Sequence, residues 1–475
     1  MFFSTTPRPE SLRAISDVKL KPFWLDDPAK PEPTPPLTTQ IQTDLAIIGG
    51  GFTGLWTALQ AKQADPNRDV ILLEAGEIAI GASGRNGGFC AASLTHGIDN
   101  GRSRWAKELP KLIQLGRENL DGIEATVKQF NIDCDFIRSG EVGIANEEHQ
   151  IAELREEVEL ARQYNVPAQF FDQNEMRARI NSPTFLAGAI DMSNAMLNPA
   201  RLAWGLKQAC LQLGVKIFEG TPVTALEESR AERSRSIILK TTHGQVQARR
   251  VAMATNAFPP LLKYLRLYVV PVYDYALMTE PLSKSQHDAI GWYGREGLSD
   301  INNQFHYSQM TSDGRILWGG FDAIYHRNNQ VAPHLENRPA SFGLLAEHFF
   351  QTFPQLEGIR FTHAWGGVID TCSRYAVFWG KEYGGKLTYA MGYTGLGVGT
   401  SRFGAKVMLD LLSGQKTELT ELQMVKTKPF PVPPEPFRSP IINFTQWSLE
   451  QADRNQGRRN LWLKTLDALG LGFDS

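Results

Sequence analysis

"TDLAIIGGGFTGLWTALQA", residues 43–61, passes from a short β-branched apolar run into a glycine turn and then into a helical pattern. The run Leu45 to Ile48 suits a strand buried on both faces of a parallel sheet. Gly49, Gly51 and Gly54 follow with the spacing G-x-G-x-x-G. The first glycine permits a tight turn, the second lets backbone approach a pyrophosphate, and the third lets the helix pack closely on its strand. Phe52 and Thr53 open that helix, where free N–H groups and the helix dipole favour negative charge. "DVILLEAG", residues 69–76, then reads as a second buried strand ending at Glu74, with Ala75 beside it. An acid at this place accepts hydrogen bonds from ribose hydroxyls and disfavours a 2′-phosphate. Strand, fingerprint, helix, strand and acid in register imply a dinucleotide site.

Directly afterwards, "GASGRNGGF" (81–89) spends four glycines, one arginine and one asparagine in nine positions. Glycine tolerates the close approach of a bound group, so this loop is expected to lie flat against one. The chain carries 475 residues, 42% apolar and 21% charged, enough for two domains or one large interleaved body. A formal net charge of −2 gives no basic field for nucleic acid. The four cysteines are scattered, which predicts reduced thiols and a cytoplasmic setting. The N-terminal stretch lacks a continuous apolar h-region, and no apolar run is long enough for a transmembrane helix. No metal-ligand cluster or Ser-His-Asp arrangement is visible, and no metal is expected.

Further on, Asn198 and Pro199 form an N-cap and first helical residue, followed by a helix and a buried strand. "LTYAMGYTGLGVGTSRFGAKVMLDLLSG" (387–414) repeats the opening logic of strand, glycine turn and helix, with no second ribose acid. A helix N-terminus aimed at an electron-rich ring fits it, because the dipole stabilises an anionic reduced flavin.

With "LLEAG", "GASGRNGG", "NPARLAWGLKQACLQLGVKIFEGTPV" and "VAMATNA", these motifs resemble the D-amino-acid oxidase and glycine oxidase superfamily of FAD enzymes, in the branch that includes gamma-glutamylputrescine oxidase. The resemblance runs from about residue 24 to about 415 and implies an α/β fold. A Rossmann-like FAD-binding domain would be interleaved with a mixed, largely antiparallel β-sheet substrate domain plus helices. The FAD-binding domain is expected over 40–98, 195–262 and 362–415, and the substrate domain over 130–194 and 263–361. Residues 416–475 would form a proline-rich strap and a helical tail. FAD is expected to be noncovalent, because the family's attachment cysteine is missing near Gly366, although Cys90 and Cys372 stay open.

The resemblance also implies the chemistry. An amine or amino acid is oxidised at its C–N bond by hydride transfer to flavin, the imine hydrolyses, and dioxygen or another acceptor takes the electrons. Contacts to FAD are expected from Gly49, Gly51, Phe52, Thr53, Gly54, Glu74, Ala75, Gly81, Ser83, Gly84, Arg85, Asn86, Gly87 and Gly88. Val223, Thr255, Gly366, Gly392, Thr394, Gly395, Gly397 and Val398 complete that set. Arg85 is open between phosphate, ring, substrate carboxylate and a structural ion pair. In "NQFHYSQM", Phe305, Tyr307 and Gln309 alternate onto one face, and Tyr307 matches a substrate-facing tyrosine of the family. Asp370, Cys372 and Arg374 alternate onto one side of the returning strand, with Arg374 a second candidate carboxylate anchor. Tyr393 lies in the turn nearest the ring. Trp318 stands where sarcosine-oxidase-like relatives carry a lysine that promotes the dioxygen reaction. That favours a dehydrogenase with a quinone or carrier acceptor as the alternative, and a noncatalytic FAD scaffold is the other reading. In the tail, Leu461, Trp462, Leu466 and Leu469 make an apolar face, suited to the enzyme body, a second subunit or a membrane surface.

Overall fold

A computed structural model describes residues 3–229 and 236–472. The opening strand, Gln40–Ile48, lies inside an eight-stranded sheet. It pairs in parallel with Val70–Leu73 on one side and Gln245–Met253 on the other. Strand alternation sends Leu45 and Ile47 to one core and Ala46 and Ile48 to another. The first core is closed by the helices Phe52–Ala64, Pro199–Gln212 and Gly397–Ser413. The second is closed by an antiparallel extension, Val223–Glu228 with Ile237–Thr241. This burial of both faces explains why the strand is a continuous apolar run. Asn198 caps its helix as expected, its side chain accepting from the Arg201 N–H at 3.0 Å.

A second, nine-stranded sheet is largely antiparallel, with one parallel pair between Gly297–Asp300 and Glu141–Ala145. Its longest pairing joins Val270–Thr279 to Phe361–Thr371. The latter strand thus belongs to the second sheet, although its sequence position groups it with the nucleotide-binding segments. The outer face of this sheet packs on the helix Pro339–Thr352 through an aromatic core that includes Phe349, Phe353 and Trp318. His306 stacks on Trp318 and is bonded to Asp300 (2.8 Å) and His348 (2.9 Å). The inner face looks onto the glycine loops of the first sheet. Among the described residues no helix is long and apolar enough to cross a membrane.

Candidate active site

A cavity of about 1270 Å³ runs from the first glycine turn, under the second sheet, to the C-terminal tail. Its dinucleotide end follows from the sequence. Gly49 adopts φ +107°, and a Cβ there would lie 2.4 Å from the Ala254 carbonyl oxygen. A Cβ on Gly54 would lie 1.9 Å from the Gly49 oxygen, so the helix meets its strand at a distance that only glycine allows. Glu74 ends the second strand and accepts from the Gly50 N–H (2.6 Å) and the Gly76 N–H (2.8 Å). Burial pushes its carboxyl above the usual range, offset in part by those two donors. Each carboxylate oxygen keeps lone-pair capacity for a ribose hydroxyl.

Two further observations fit a dinucleotide. The helices starting at Phe52 and Gly397 both open onto the cavity, and neither has a side-chain cap. The Phe52 N–H donates to Ser83 Oγ at 2.9 Å, so the later N–H groups of that helix's first turn, and those of the Gly397 helix, are the ones available to an anion and to an electron-rich ring. Thr255 Oγ1 and Ser401 Oγ, both on residues of the cavity wall, are buried without a hydrogen-bond partner. A bound polar group would satisfy them.

Most of the expected FAD contacts line this cavity: Gly49, Gly51, Phe52, Thr53, Glu74, Ala75, Gly81, Ser83, Arg85, Asn86, Gly87, Val223, Thr255, Thr394, Gly395, Gly397 and Val398. Gly54, Gly84, Gly88, Gly366 and Gly392 do not. They are glycine for packing: a Cβ would meet Ala79 oxygen at 2.4 Å from Gly84, Leu197 oxygen at 2.2 Å from Gly88, and Glu336 oxygen at 2.9 Å from Gly366. Gly392 has φ +77°, and its N–H donates to Asp370 Oδ2 at 2.6 Å, fixing the second glycine turn. Burial raises that carboxyl to about 7.

Both candidate carboxylate anchors are engaged elsewhere. Arg85 lines the cavity, but its Nη1 donates to Glu336 Oε2 (2.6 Å) and the Gly366 carbonyl (3.1 Å), and its Nε to the Ile80 carbonyl (2.7 Å). Arg374 is turned away from the cavity altogether. The strand ends at Thr371, and a turn closed by Tyr375 N–H to the Cys372 carbonyl (3.0 Å) breaks the alternation. Its guanidinium donates to the carbonyls of Ala376 (3.1 Å), Thr427 (2.8 Å) and Val377, and lies over the Trp105 ring. Burial lowers it to about 10, which leaves it cationic at neutral pH. Arg374→Met is expected to destabilise the fold by about 3 kcal/mol, because two buried carbonyls and that of Thr427 lose a charged donor. A melting curve checks this, and the ratio of rates for carboxylated over uncarboxylated substrates should stay as in the wild type.

Tyr307 and Tyr393 do reach the cavity. The Tyr393 hydroxyl accepts from Thr53 Oγ1 at 2.9 Å, tying the second glycine turn to the first helix. Tyr307 stands between Gly87 and Gly319, where a Cβ would lie 2.8 Å and 2.5 Å from its ring. Its hydroxyl donates to Asp274 Oδ2 at 2.6 Å, and Asp274 Oδ1 accepts from the Tyr275 N–H at 2.8 Å. Burial raises Asp274 to about 6 and holds the Tyr307 phenol well above its ordinary value. Asp274 is a residue that sequence reading missed. The signal was present in "VYDYAL", where a lone acid alternates with apolar and aromatic neighbours inside a strand. His96 beside the second glycine turn was missed likewise; it lines the cavity, and burial holds it below its ordinary value.

Cys90 is fully buried outside the cavity wall, and burial pushes its thiol to about 12. Cys372 lines the cavity, but its Sγ lies against the carbonyls of Ala376 (3.3 Å) and Gly392 (3.4 Å), and burial raises it too. Trp318, which the resemblance put at the place of the relatives' lysine, points to the face of its sheet opposite Tyr307 and packs on Phe349 and Phe353. In that strand, Gly319 faces Tyr307. Among the described residues no group of His, Cys, Asp or Glu could hold a metal ion.

A sheet with a parallel centre and a glycine-cradled dinucleotide groove, joined under a second sheet to a chamber, is the arrangement of a dinucleotide-binding protein with room for a small ligand. The chain belongs to the DAO family of FAD dependent oxidoreductases, whose profile matches residues 44–411, and its cofactor is FAD. It is 29% identical to gamma-glutamylputrescine oxidoreductase of Escherichia coli, over 83% of this chain and 89% of that one. It is 26% identical to the probable oxidoreductase OrdL of Haemophilus influenzae, over 86% and 91%. Glycine oxidase from Geobacillus kaustophilus superposes with a TM-score of 0.66 at 19% identity, covering 81% of this chain and 99% of that one. L-Proline dehydrogenase from P. horikoshii gives 0.65 at 16%, covering 81% and 96%. An oxidase and a dehydrogenase thus share this fold, so the electron acceptor is not a property of the fold.

Proposed function

We propose that the protein oxidises the C–N bond of a small amine that bears no carboxylate beside the reacting nitrogen, and passes the electrons to dioxygen. The observation that carries the substrate class is the wall of the chamber. Among its described lining residues the one arginine or lysine is Arg85, already held by Glu336, while Asp274, Glu141, Asp191 and Asp300 face the same space. Such a wall favours positive charge or neutrality over a carboxylate. The amine chemistry is supported by family membership and by the relatives' names. Trp318 lies outside the chamber, so it gives a carrier acceptor no support, and dioxygen is taken as the acceptor because it needs no docking partner.

Bound FAD supplies the hydride acceptor for this oxidation. The protein supplies orientation. With Asp274 ionised, the Tyr307 proton is committed to it, so the phenol oxygen presents lone pairs to the chamber and accepts an N–H of the substrate amine. The amine lone pair then stays free, as loss of hydride from the adjacent carbon requires. Asp274 acts through Tyr307 and is a positioning residue. The two glycine turns are fixed to one another by Thr53–Tyr393, and Gly392–Asp370 ties the second to the strand Phe361–Thr371, which holds the groove still while the amine is placed.

The test compares kcat/KM for amines with that for amino acids of the same chain length. Uncarboxylated amines are expected to exceed the amino acids by about tenfold or more, the size of one uncompensated charge contact. A preference for amino acids would contradict the reading and mean that Arg85 leaves Glu336 to bind substrate.

A further inference from the structure

The family profile ends at residue 411, yet the cavity is lined beyond it by the strap and by both tail helices. We infer that residues 430–471 form the distal wall of the substrate chamber, an apolar surface that sets how long a substrate arm the enzyme accepts. The tail crosses the cavity mouth and is tied down on each side. It leaves the first sheet's side at Phe430, whose carbonyl accepts from Ser373 Oγ at 2.8 Å. Its first helix, Arg438–Arg454, runs along two loops of the second sheet, with Gln446 donating to the Ala323 carbonyl. Asp453 ends that run, accepting from Asn303 N–H (3.0 Å), Asn303 Nδ2 (2.6 Å) and Gln304 N–H (3.0 Å). The second helix, Leu461–Ala468, returns to the first side, where the Gly470 carbonyl accepts from Arg104 Nη2 at 2.8 Å.

Between these fastenings the tail presents Ile441, Ile442, Leu449, Leu466 and Leu471 to the cavity. The apolar residues that suggested one membrane-binding face are therefore divided. Leu466 points into the chamber, Trp462 donates to Thr445 Oγ1 at 3.0 Å, and Leu461 and Leu469 remain exposed at 82% and 61%. Asp453 is 7% exposed, and burial raises its carboxyl against the three donors. A buried carboxylate held by one loop is a latch: without it, the loop N–H groups of Asn303 and Gln304 lose their acceptor. That loop leads into Phe305 and Tyr307, so the tail also borders the segment that places the substrate.

The proposal rests on the amine reading for its ligands, so the test measures binding as well as turnover. Primary alkylamines of increasing chain length are mixed anaerobically with the full-length holoenzyme, and the dissociation constant is read from the saturation of the bleaching rate, or from the shift of the flavin band for an amine that binds without reducing it. Leu449→Trp is expected to raise the ratio of dissociation constants, long amine over short, at least tenfold. A ratio equal to that of the wild type would overturn the wall. In parallel, Asp453→Ala is expected to speed tryptic cleavage after Arg454, Arg458 or Arg459 at least tenfold, with a long amine slowing it again. Wild-type cleavage rates in that variant would overturn the latch. Failure of every amine to reduce the flavin would remove the proposed function and leave both of these results readable.

Discussion

Gly54→Ala is expected to yield protein with little or no bound FAD. The added methyl would sit 1.9 Å from the Gly49 oxygen and 3.1 Å from its carbonyl carbon, both backbone atoms. Gly49 has no room to retreat, because it already holds φ +107° with its own Cβ position 2.4 Å from the Ala254 oxygen. The helix must therefore back away from its strand, carrying off the N–H groups that face the pyrophosphate. Overpacking of this kind costs about 3 kcal/mol, or about 100-fold in cofactor affinity. The measurement is the ratio of visible flavin absorbance to protein absorbance after gel filtration. Gly143→Ala is the control: its nearest neighbours stand at 3.5 Å, ordinary contact, and it should keep its flavin. Full flavin in Gly54→Ala would mean that this turn is not the cofactor cradle.

Removing the acceptor of the Tyr307 proton is expected to give the largest loss of rate short of losing the cofactor. In Asp274→Ala the phenol is left buried without its partner, at a cost of about 1–3 kcal/mol, so kcat/KM should fall by about 10- to 100-fold. The sign of the pH dependence follows from the raised carboxyl. Above about 6 Asp274 is ionised and takes the phenol proton. Below that value its own proton can turn to Tyr307, and the freed phenol proton then donates to the amine lone pair and blocks it. Once kcat/KM is divided by the fraction of substrate present as free amine, which itself falls below an amine pKa of about 10, the wild type should lose it with unit slope on the acid side of about 6. Asp274→Asn, which does not titrate, should lack that limb while its plateau lies lower. Tyr307→Phe should lower the plateau as well. An unchanged acid limb in Asp274→Asn would assign the titration to another group.

The dinucleotide end of the site was legible because its signals are local: three glycines, two buried strands and an acid lie within about thirty residues, each with a backbone reason to be where it is. Strand alternation put Tyr307 on one face with Phe305 and Gln309, and likeness to the family turned that face toward the substrate. What sequence could not carry was pairing at long range. Arg85 is claimed by Glu336, 251 positions away, and no periodicity reports such a partner. Arg374 looked like a cavity residue because alternation was extended past Thr371, where the chain leaves the strand and turns. Trp318 was matched to the relatives' lysine by likeness alone, and its side chain follows the outer face of its strand into the aromatic core. The tail's four apolar residues read as one face, but the fold divides them: Leu466 reaches the mouth of the chamber while Leu461 and Leu469 stay exposed, a split that exists only once both sheets are assembled.

The central claim is that this chamber oxidises amines through FAD. The most direct measurement is the visible flavin spectrum of the purified holoenzyme under anaerobic conditions, titrated with alkylamines, diamines, N-acylated diamines and amino acids, followed by admission of air. Bleaching by amines is expected at lower concentrations than by amino acids, with rapid recolouring and stoichiometric hydrogen peroxide once air enters. Bleaching that persists in air would contradict the choice of dioxygen, and a spectrum untouched by every amine would contradict the claim itself.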